Sequence, residues 1–535
     1  MAGKEKRFGV MLDMSRNAVM RPEEVKHFAK LLHSFGYNMI QLYTEDTYEV
    51  DNEPYFGYMR GRYTKEELAD IVCYCESIGV EVIPCIQTLA HLNQIFRNAD
   101  YGRIRDTDDI LLVGAERTYQ LIESMFSTLR QVFKTDYIHI GMDEAHMLGL
   151  GKYLDRNGFR NRFDILSEHL ARVVQISKEY GFTPIMWSDM FFRLANHGEY
   201  YTLEDTVTEE IVAKCPEGVE LVYWDYYHND IRYYDNMIAQ HKKFGRDVWF
   251  AGGAWCWNGF APSNKWSIES MSVAMRSCAA NDIENVFFTM WGDNGKECSF
   301  YSVLPSLYTF RKIYDGITDE NEIKRLFKEE TGEEYDAMMA LDLPNRVPPD
   351  DLILSNVSKV MLYNDPLLGV FDPAVDPAAA EKYRAHAKTL YEYAVGSKYA
   401  YIFESEASLC ELLSYKYDLG ARARKAYADK DREAMKQISA DTERAIELNE
   451  VFHRKFKTLW MKENKAFGFE VQELRIGGLA LRLRSAKETF TAYANGEIDS
   501  IEEFDVEQLD YMRSGTKGKM PRLNVWSTVA SPSVI

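Results

Sequence analysis

Tyr137-Ile-His-Ile-Gly-Met-Asp143-Glu144 is the stretch on which the reading of this chain turns. An apolar run of strand length passes through one glycine and delivers two adjacent carboxylates. Neighbouring residues at a strand end point in different directions, so the two acids cannot do the same job on one ligand atom, and the pattern predicts divided labour. In a parallel barrel the reactive groups sit at the C-terminal ends of the strands, the place these carboxylates occupy.

Outward from this stretch, the same theme recurs eight times between Arg7 and about Arg311. Short apolar runs at 7–13, 38–45, 80–89, 136–142, 182–188, 219–225, 247–254 and 285–291 read as strands. Amphipathic segments such as Pro22–Phe35, Thr64–Ser77, Arg162–Tyr180 and Ser267–Ala280 read as helices, with Thr64 and Glu67 spaced as a capping box. Eight alternating units, without a dinucleotide or phosphate-loop glycine pattern, predict an α/β fold of the closed (β/α)8 type over residues 1–316. Residues 317–350 read as a connecting segment with the Pro-rich Leu343–Asp350 as linker, and 351–535 as a C-terminal, mainly helical domain punctuated by Gly420, Gly468 and Gly496. From Ser514 onward the sequence reads as a tail, and Tyr363-Asn-Asp-Pro as a turn.

Each apolar run is followed by polar or aromatic groups. They are Asp13 and Arg16 after the first, Glu45 and Asp46 after the second, and His91 after the third. Asp143 and Glu144 follow the fourth, Trp187 and Asp189 the fifth, and Trp224, Asp225, Tyr226 and Tyr227 the sixth. Trp255 and Trp257 follow the seventh, and Trp291 and Asp293 the eighth. Carboxylates, an arginine and indoles converging on one mouth suit a sugar, whose apolar faces lie on aromatic rings and whose hydroxyls need charged partners. Glycoside hydrolysis needs one carboxyl group to protonate the leaving oxygen and a second group at the anomeric centre, so Glu144 is assigned general acid and base, and Asp143 an ionised orienting role.

The formal charge of −20, from 63 basic and 83 acidic side chains, excludes nucleic acid and anionic membranes as natural partners. The eight cysteines are scattered without metal-site spacing and read as reduced core residues, so neither a metal nor a cofactor is expected. No apolar run reaches the roughly 18 residues of a membrane span, and no signal-peptide core precedes the first strand, which leads to the expectation of a cytoplasmic protein.

His139-Ile-Gly-Met-Asp143-Glu144 resembles the His-x-Gly-Gly-Asp-Glu signature of the family 20 glycoside hydrolases, the β-N-acetylhexosaminidases. Arg16 after the first strand, and Trp291-Gly-Asp293 where that family has Trp-Gly-Glu, match two further landmarks in order. The resemblance implies an exo-acting, retaining enzyme for terminal N-acetylhexosamines that works by substrate-assisted catalysis. The substrate's acetamido oxygen attacks the anomeric carbon, Asp143 holds the acetamido nitrogen, and Tyr226 or Tyr227 holds its oxygen. Glu144 protonates the departing oxygen and then activates water. Arg16 and Asp293 grip hydroxyls, and Trp187, Trp224 and Trp291 wall the acetamido pocket.

Three departures from the family pattern stand out: Met142 replaces the second glycine, Asp293 is one methylene shorter than glutamate so that Glu297 is a candidate to share its role, and the orienting tyrosine is ambiguous between Tyr226 and Tyr227; with the first strand starting at residue 7, a compact relative without the small α/β domain that often precedes the barrel is expected. Further binding candidates are Glu45, His91, Asp225 and Trp255, with His91 and His139 in support roles and Trp255 and Trp257 equally readable as core. Two rival functions are a non-catalytic sugar-binding barrel and a metal-assisted hydrolase using Asp13, His91, Asp143 and Glu144. A homodimer through the C-terminal helices is a further possibility.

Overall fold

The computed structural model describes residues 6–348, 354–513 and 520–533. Eight parallel strands close into a barrel in chain order: β1 (Arg7–Asp13), β2 (Met39–Tyr43), β3 (Glu81–Cys85), β4 (Tyr137–His139), β5 (Thr183–Trp187), β6 (Glu220–Trp224), β7 (Val248–Gly253) and β8 (Asn285–Met290). Closure comes from β1 pairing with β8, from Arg7 opposite Asn285 to Leu12 opposite Met290. Every expected strand is present, most of them trimmed at their ends. At their C-terminal ends the residues lost from the ladder include Glu45, Gln87 and Asp225, where the strands give way to turns.

The strands are buried at nearly every position because each is covered on both faces, by helices outside and by the other strands' side chains within. Odd-numbered residues of β1 to β4 face inward. Cys85 Sγ on β3 lies 3.8 Å from Met11 Sδ on β1, and the rings of Trp187 on β5 and Phe287 on β8 are 6.0 Å apart, contacts between strands that are not neighbours and so possible only inside. The same alternation puts Asp13 and Tyr43, the last residues of β1 and β2, at the mouth and, carried past the ends of β3 and β4, Gln87 and Asp143.

Outside the barrel, the helix Pro22–Ser34 buries Val25, Phe28, Ala29 and Leu32, the i, i+3, i+4, i+7 stripe of an amphipathic helix. The expected capping box is made: the Thr64 hydroxyl accepts from the Glu67 N–H and the Glu67 carboxylate from the Thr64 N–H, an arrangement worth about 1 kcal/mol to the helix Lys65–Ser77. Edge-on packing of Phe8 with Phe288 (5.4 Å) and tilted packing of Phe288 with Phe310 (4.5 Å) seat the residues after Leu307 on β1 and β8.

The chain resolves into two compact units. One comprises the chain up to Ala254 together with Ser267–Met290 and Leu307–Ile323; the other comprises Trp255–Trp266, Trp291–Ser306 and everything from Lys324. The segments leaving β7 and β8 are therefore grouped with the helical unit, a division that a single boundary near residue 316 does not capture. The expected linker is also different up to Pro348: Ala340–Asn345 is a buried 3-10 turn whose Asp342 accepts the N–H groups of Asn264 and Lys265. Leu343–Asp350 otherwise ends outside the described residues.

Within the second unit, Ala378–Ala394 packs on Ala400–Lys416, which packs on Arg432–Glu463, which packs on Phe469–Asn495. Gly468 and Gly496 bound that last helix in left-handed conformations, as punctuation. Gly420 lies inside the helix Leu419–Ala428, where a Cβ would stand 2.6 Å from Asp372 Oδ2; it is there for close packing. The turn at Asn364-Asp365 is present, with Asp365 Oδ1 accepting the N–H groups of Leu367 and Leu368. The described part of the expected tail is folded: Met520 and Val529 are buried, and Leu523 exchanges hydrogen bonds with Asn356. All eight cysteines are free, seven of them buried and Cys73 exposed.

Candidate active site

Six side chains at the ends of β1 to β4 form a closed ring. Arg16 Nε meets Glu45 Oε1 at 2.9 Å, and the Tyr43 hydroxyl donates to the same oxygen at 3.0 Å. The Gln87 amide donates one hydrogen to Tyr43 Oη (3.0 Å) and the other to Asp143 Oδ1 (2.8 Å). Asp143 Oδ2 lies 3.2 Å from His91 Nε2, and His91 Nδ1 lies 3.4 Å from Arg16 Nη2, which closes the circuit. Arg16 owes its place to Asp13, whose Oδ1 accepts the N–H and hydroxyl of Ser15 and the N–H of Arg16, turning the chain as it leaves β1.

The ring sets the charge states. Burial alone would raise the Asp143 carboxyl, but the charge of His91 and the hydrogen bonds from His91 and Gln87 take it down to about 2. Burial would lower His91, and Arg16 opposes its proton, yet Asp143 prevails and lifts it to about 9. Glu45 is pushed up by burial, partly offset by Arg16. Deeper in the barrel His139 is driven down to about 3 by burial, so this imidazole is neutral beside the Trp187 ring, 4.5 Å away.

Glu144 differs from its neighbour. Its side chain is 46% exposed against 12% for Asp143, and His91 Nε2 is 3.8 Å from it. Between them the pair offers a fixed anion and an accessible carboxyl within reach of one imidazole. The chain here runs left-handed at Gly141 (φ 70°), Met142 (φ 69°) and Glu144 (φ 51°), as it does at His91 (φ 57°). Met142 thus adopts, as a side-chain-bearing residue, the conformation that suits the glycine of the signature, and its N–H is held by Gln87 Oε1 at 3.2 Å.

Of the expected binding residues, Arg16, Glu45 and His91 are in the ring. Trp187 is in the barrel interior, 1% exposed. Trp224 stacks on Tyr226 at 5.4 Å, with Tyr200 behind it at 4.7 Å. Tyr226 is buried in this cluster and Tyr227 is exposed. Asp225 is not a surface for hydroxyls: fully buried, it accepts from the Tyr223 hydroxyl (2.8 Å) and the Tyr227 and His228 N–H groups, and pairs with the His228 ring. It holds the turn that presents the tyrosines.

The remaining candidates fall in the second unit. Trp255 and Trp257 stack at 4.3 Å and are both buried, and Trp291 directly follows β8. Asp293, left-handed like Glu144 (φ 40°), accepts from Asn524 Nδ2 at 3.0 Å. Glu297 is committed elsewhere than to a sugar: its side chain, 1% exposed, meets Lys359 Nζ at 2.8 Å and Arg475 Nη1 at 3.1 Å.

Tyr43 and Gln87 carry the ring; they stand first in the groups that end the second and third strands, and the sequence assigns neither a role. Their signal was available, since both continue the inward alternation of β2 and β3. Asp189, at the end of β5, is fully buried; burial and the charge of Asp143 raise it to about 7. Among the described residues, His91, Asp143 and Glu144 have ligand atoms within 4.8 Å of one another and are the set that would hold a cation. Asp13 is not in that set, being engaged with Ser15 and Arg16.

Two domain models match the chain: "Glycosyl hydrolase family 20, catalytic domain" over residues 7–236 and "Glycoside Hydrolase 20C C-terminal domain" over residues 333–522. Among curated proteins, Hexosaminidase D of Bos taurus is 24% identical over 243 residues, 42% of this chain and 63% of that protein. Hexosaminidase D of Homo sapiens is 23% identical over 218 residues, 38% of this chain and 42% of that protein. The chain thus spans less than two thirds of either. Solved structures with a similar fold include an exo β-N-acetylglucosaminidase from Vibrio harveyi (14% identity, TM-score 0.48, 63% of this chain and 59% of that one). A β-N-acetylhexosaminidase from Bacteroides fragilis is also similar (18% identity, TM-score 0.46, 61% of this chain and 71% of that one).

Proposed function

The chain belongs to glycoside hydrolase family 20, and from that premise we propose that it is an exo-acting, retaining β-N-acetylhexosaminidase. It removes terminal, non-reducing β-linked N-acetylglucosamine or N-acetylgalactosamine from oligosaccharides or glycoconjugates. The observation that carries this reading is the unequal treatment of two adjacent carboxyls. Asp143 is buried, held by Gln87 and His91 and kept ionised; Glu144 is half exposed.

In the proposed reaction the acetamido oxygen of the bound sugar attacks its own anomeric carbon, and the glycosidic bond breaks as Glu144 gives its proton to the leaving oxygen. Asp143 accepts from the acetamido N–H and stabilises the positive charge that develops on the cyclised oxazolinium. Water, deprotonated by Glu144, then opens that ring at the anomeric carbon, so two inversions leave the configuration retained. Fixed dipoles and charges that need no rearrangement at the moment of reaction are the effective kind, and Gln87 and His91, held against Asp143, are of that kind. The other roles follow the order of motifs: Arg16 for a hydroxyl of the terminal sugar, Trp187 and Trp224 for the acetamido pocket, Tyr226 or Tyr227 for its oxygen.

The test is hydrolysis of p-nitrophenyl N-acetyl-β-D-glucosaminide and its galacto epimer by wild type and Glu144→Gln, with and without chelator. Release that survives chelation and is lost in the variant supports the reading. Release lost on chelation favours a metal-assisted hydrolase on His91, Asp143 and Glu144, and no release from either epimer favours a sugar-binding barrel.

A further inference from the structure

The segment that carries Glu144 belongs to no helix or strand, so its amide hydrogens need partners from elsewhere. The Ile140 N–H still donates to the neighbouring strand, on Ile185 O, and the Gly141 carbonyl accepts the Trp187 N–H (3.3 Å). For the amides after Ile140, three buried side chains take over: His139 Nδ1 accepts the Gly141 N–H (3.1 Å), Gln87 Oε1 that of Met142 (3.2 Å) and Asp189 Oδ2 that of Glu144 (3.3 Å). The three amides belong to the three left-handed residues of the turn, a conformation that persists only where its surroundings hold it.

Asp189 is an unexpected residue to find there. It is fully buried close to two other carboxylates, Asp143 and Glu144; among the described residues its one cationic partner is Arg193, Nε to Oδ2 at 3.4 Å, and its Oδ1 has no hydrogen-bond partner. An apolar residue would pack this position at lower desolvation cost. What the carboxyl supplies and an apolar residue cannot is an acceptor for the Glu144 amide.

We propose that Asp189 is a positioning residue for Glu144: by holding the Glu144 N–H it fixes the left-handed turn from which that carboxyl reaches the leaving group. The inference rests on the reading of Glu144 as acid and base. The oxygen facing Glu144 accepts whether or not Asp189 carries a proton, so the hold is geometric. A slackened turn misplaces the general acid while leaving Asp143 and its ring in place, and the loss then depends on how much help the leaving group needs.

The experiment compares full-length wild type, Asp189→Ala, Asp189→Asn and Glu144→Gln on aryl N-acetyl-β-hexosaminides of the preferred epimer, from dinitrophenyl to phenyl. Asp189→Ala is expected to lower kcat about 30-fold on the phenyl glycoside and only about 3-fold on the dinitrophenyl one, with KM within about 2-fold. Asp189→Asn, whose amide oxygen accepts the same N–H, should recover most of the loss. Equal losses on all leaving groups in Asp189→Ala, or an Asn variant as slow as the Ala variant on the phenyl glycoside, overturns the proposal. If Asp189→Ala does not fold, Asp189→Leu fills the space without an acceptor and is read in its place. Leaving-group dependence in Glu144→Gln without any in Asp189→Ala sinks this inference alone; an idle wild type sinks the reading beneath it.

Discussion

Burial separates the chemistry of Asp143 and Glu144, which the sequence places side by side. Glu144→Gln should reduce turnover of glycosides with poor leaving groups by about 100-fold or more, measured as kcat, while leaving the fold intact. Asp143→Asn should reduce turnover on every leaving group alike, because in the proposed reaction its partner is the cyclising acetamido group. The ion pair with His91 also gives stability a pH signature. His91, raised from 6.5 to about 9, contributes fully below its ordinary value and less as pH rises through about 9. Asp143, lowered from 3.8 to about 2, contributes above its ordinary value and less as pH falls through about 2. Denaturant unfolding should therefore show the largest gap between wild type and His91→Gln at pH 4 to 6.5, narrowing on either side; a gap independent of pH would deny the pair.

The turn after β4 is a short stretch of chain whose shape is dictated by side chains from three strand ends. Gly141 shows how tightly: an added Cβ would stand 2.1 Å from Gln87 Oε1 and would have to adopt φ +70°. Gly141→Ala is expected to displace Gln87, slow catalysis about 100-fold and lower stability by about 1 to 3 kcal/mol, read together from kcat and unfolding. An alanine variant with normal kcat would mean that Gln87 does not set the position of Asp143. This is also where the sequence was least legible. Tyr43 ends the ladder of its strand and Gln87 continues the alternation two residues beyond the end of its own, and nothing in the local pattern says that they meet each other, since 44 residues separate them.

In the helical unit, distant segments are tied by charge. Lys359, fully buried, reaches Glu297, and Arg475 reaches both Glu297 and the Asn294 carbonyl. Lys359→Met should lower the unfolding free energy by about 1 to 3 kcal/mol, less than for a lone buried pair because Arg475 remains. Adding Glu297→Gln should return part of that loss; a double variant worse than the sum would contradict the account. Truncation after Arg513 removes Asn524 from Asp293 and from the Trp257 carbonyl, and Val529 from its buried place. A lower midpoint in thermal unfolding is the expected result, and an unchanged midpoint would make the segment dispensable.

The barrel was legible in the sequence because its cause is local and periodic: each strand is a short apolar run, each outer helix an apolar stripe, and eight repeats leave closure as the economical outcome. The adjacent carboxyls Asp143 and Glu144 were legible for the same reason, standing directly after one such run. Whether a polar side chain near the mouth points at a ligand or at its own scaffold was decided only by tertiary structure. Asp225 and Glu297 carry the same carboxylate as Asp143, yet one is spent on a turn and the other on a buried lysine and arginine. Partners that lie tens or hundreds of residues away along the chain set that difference, and no spacing rule within a strand and its loop contains them.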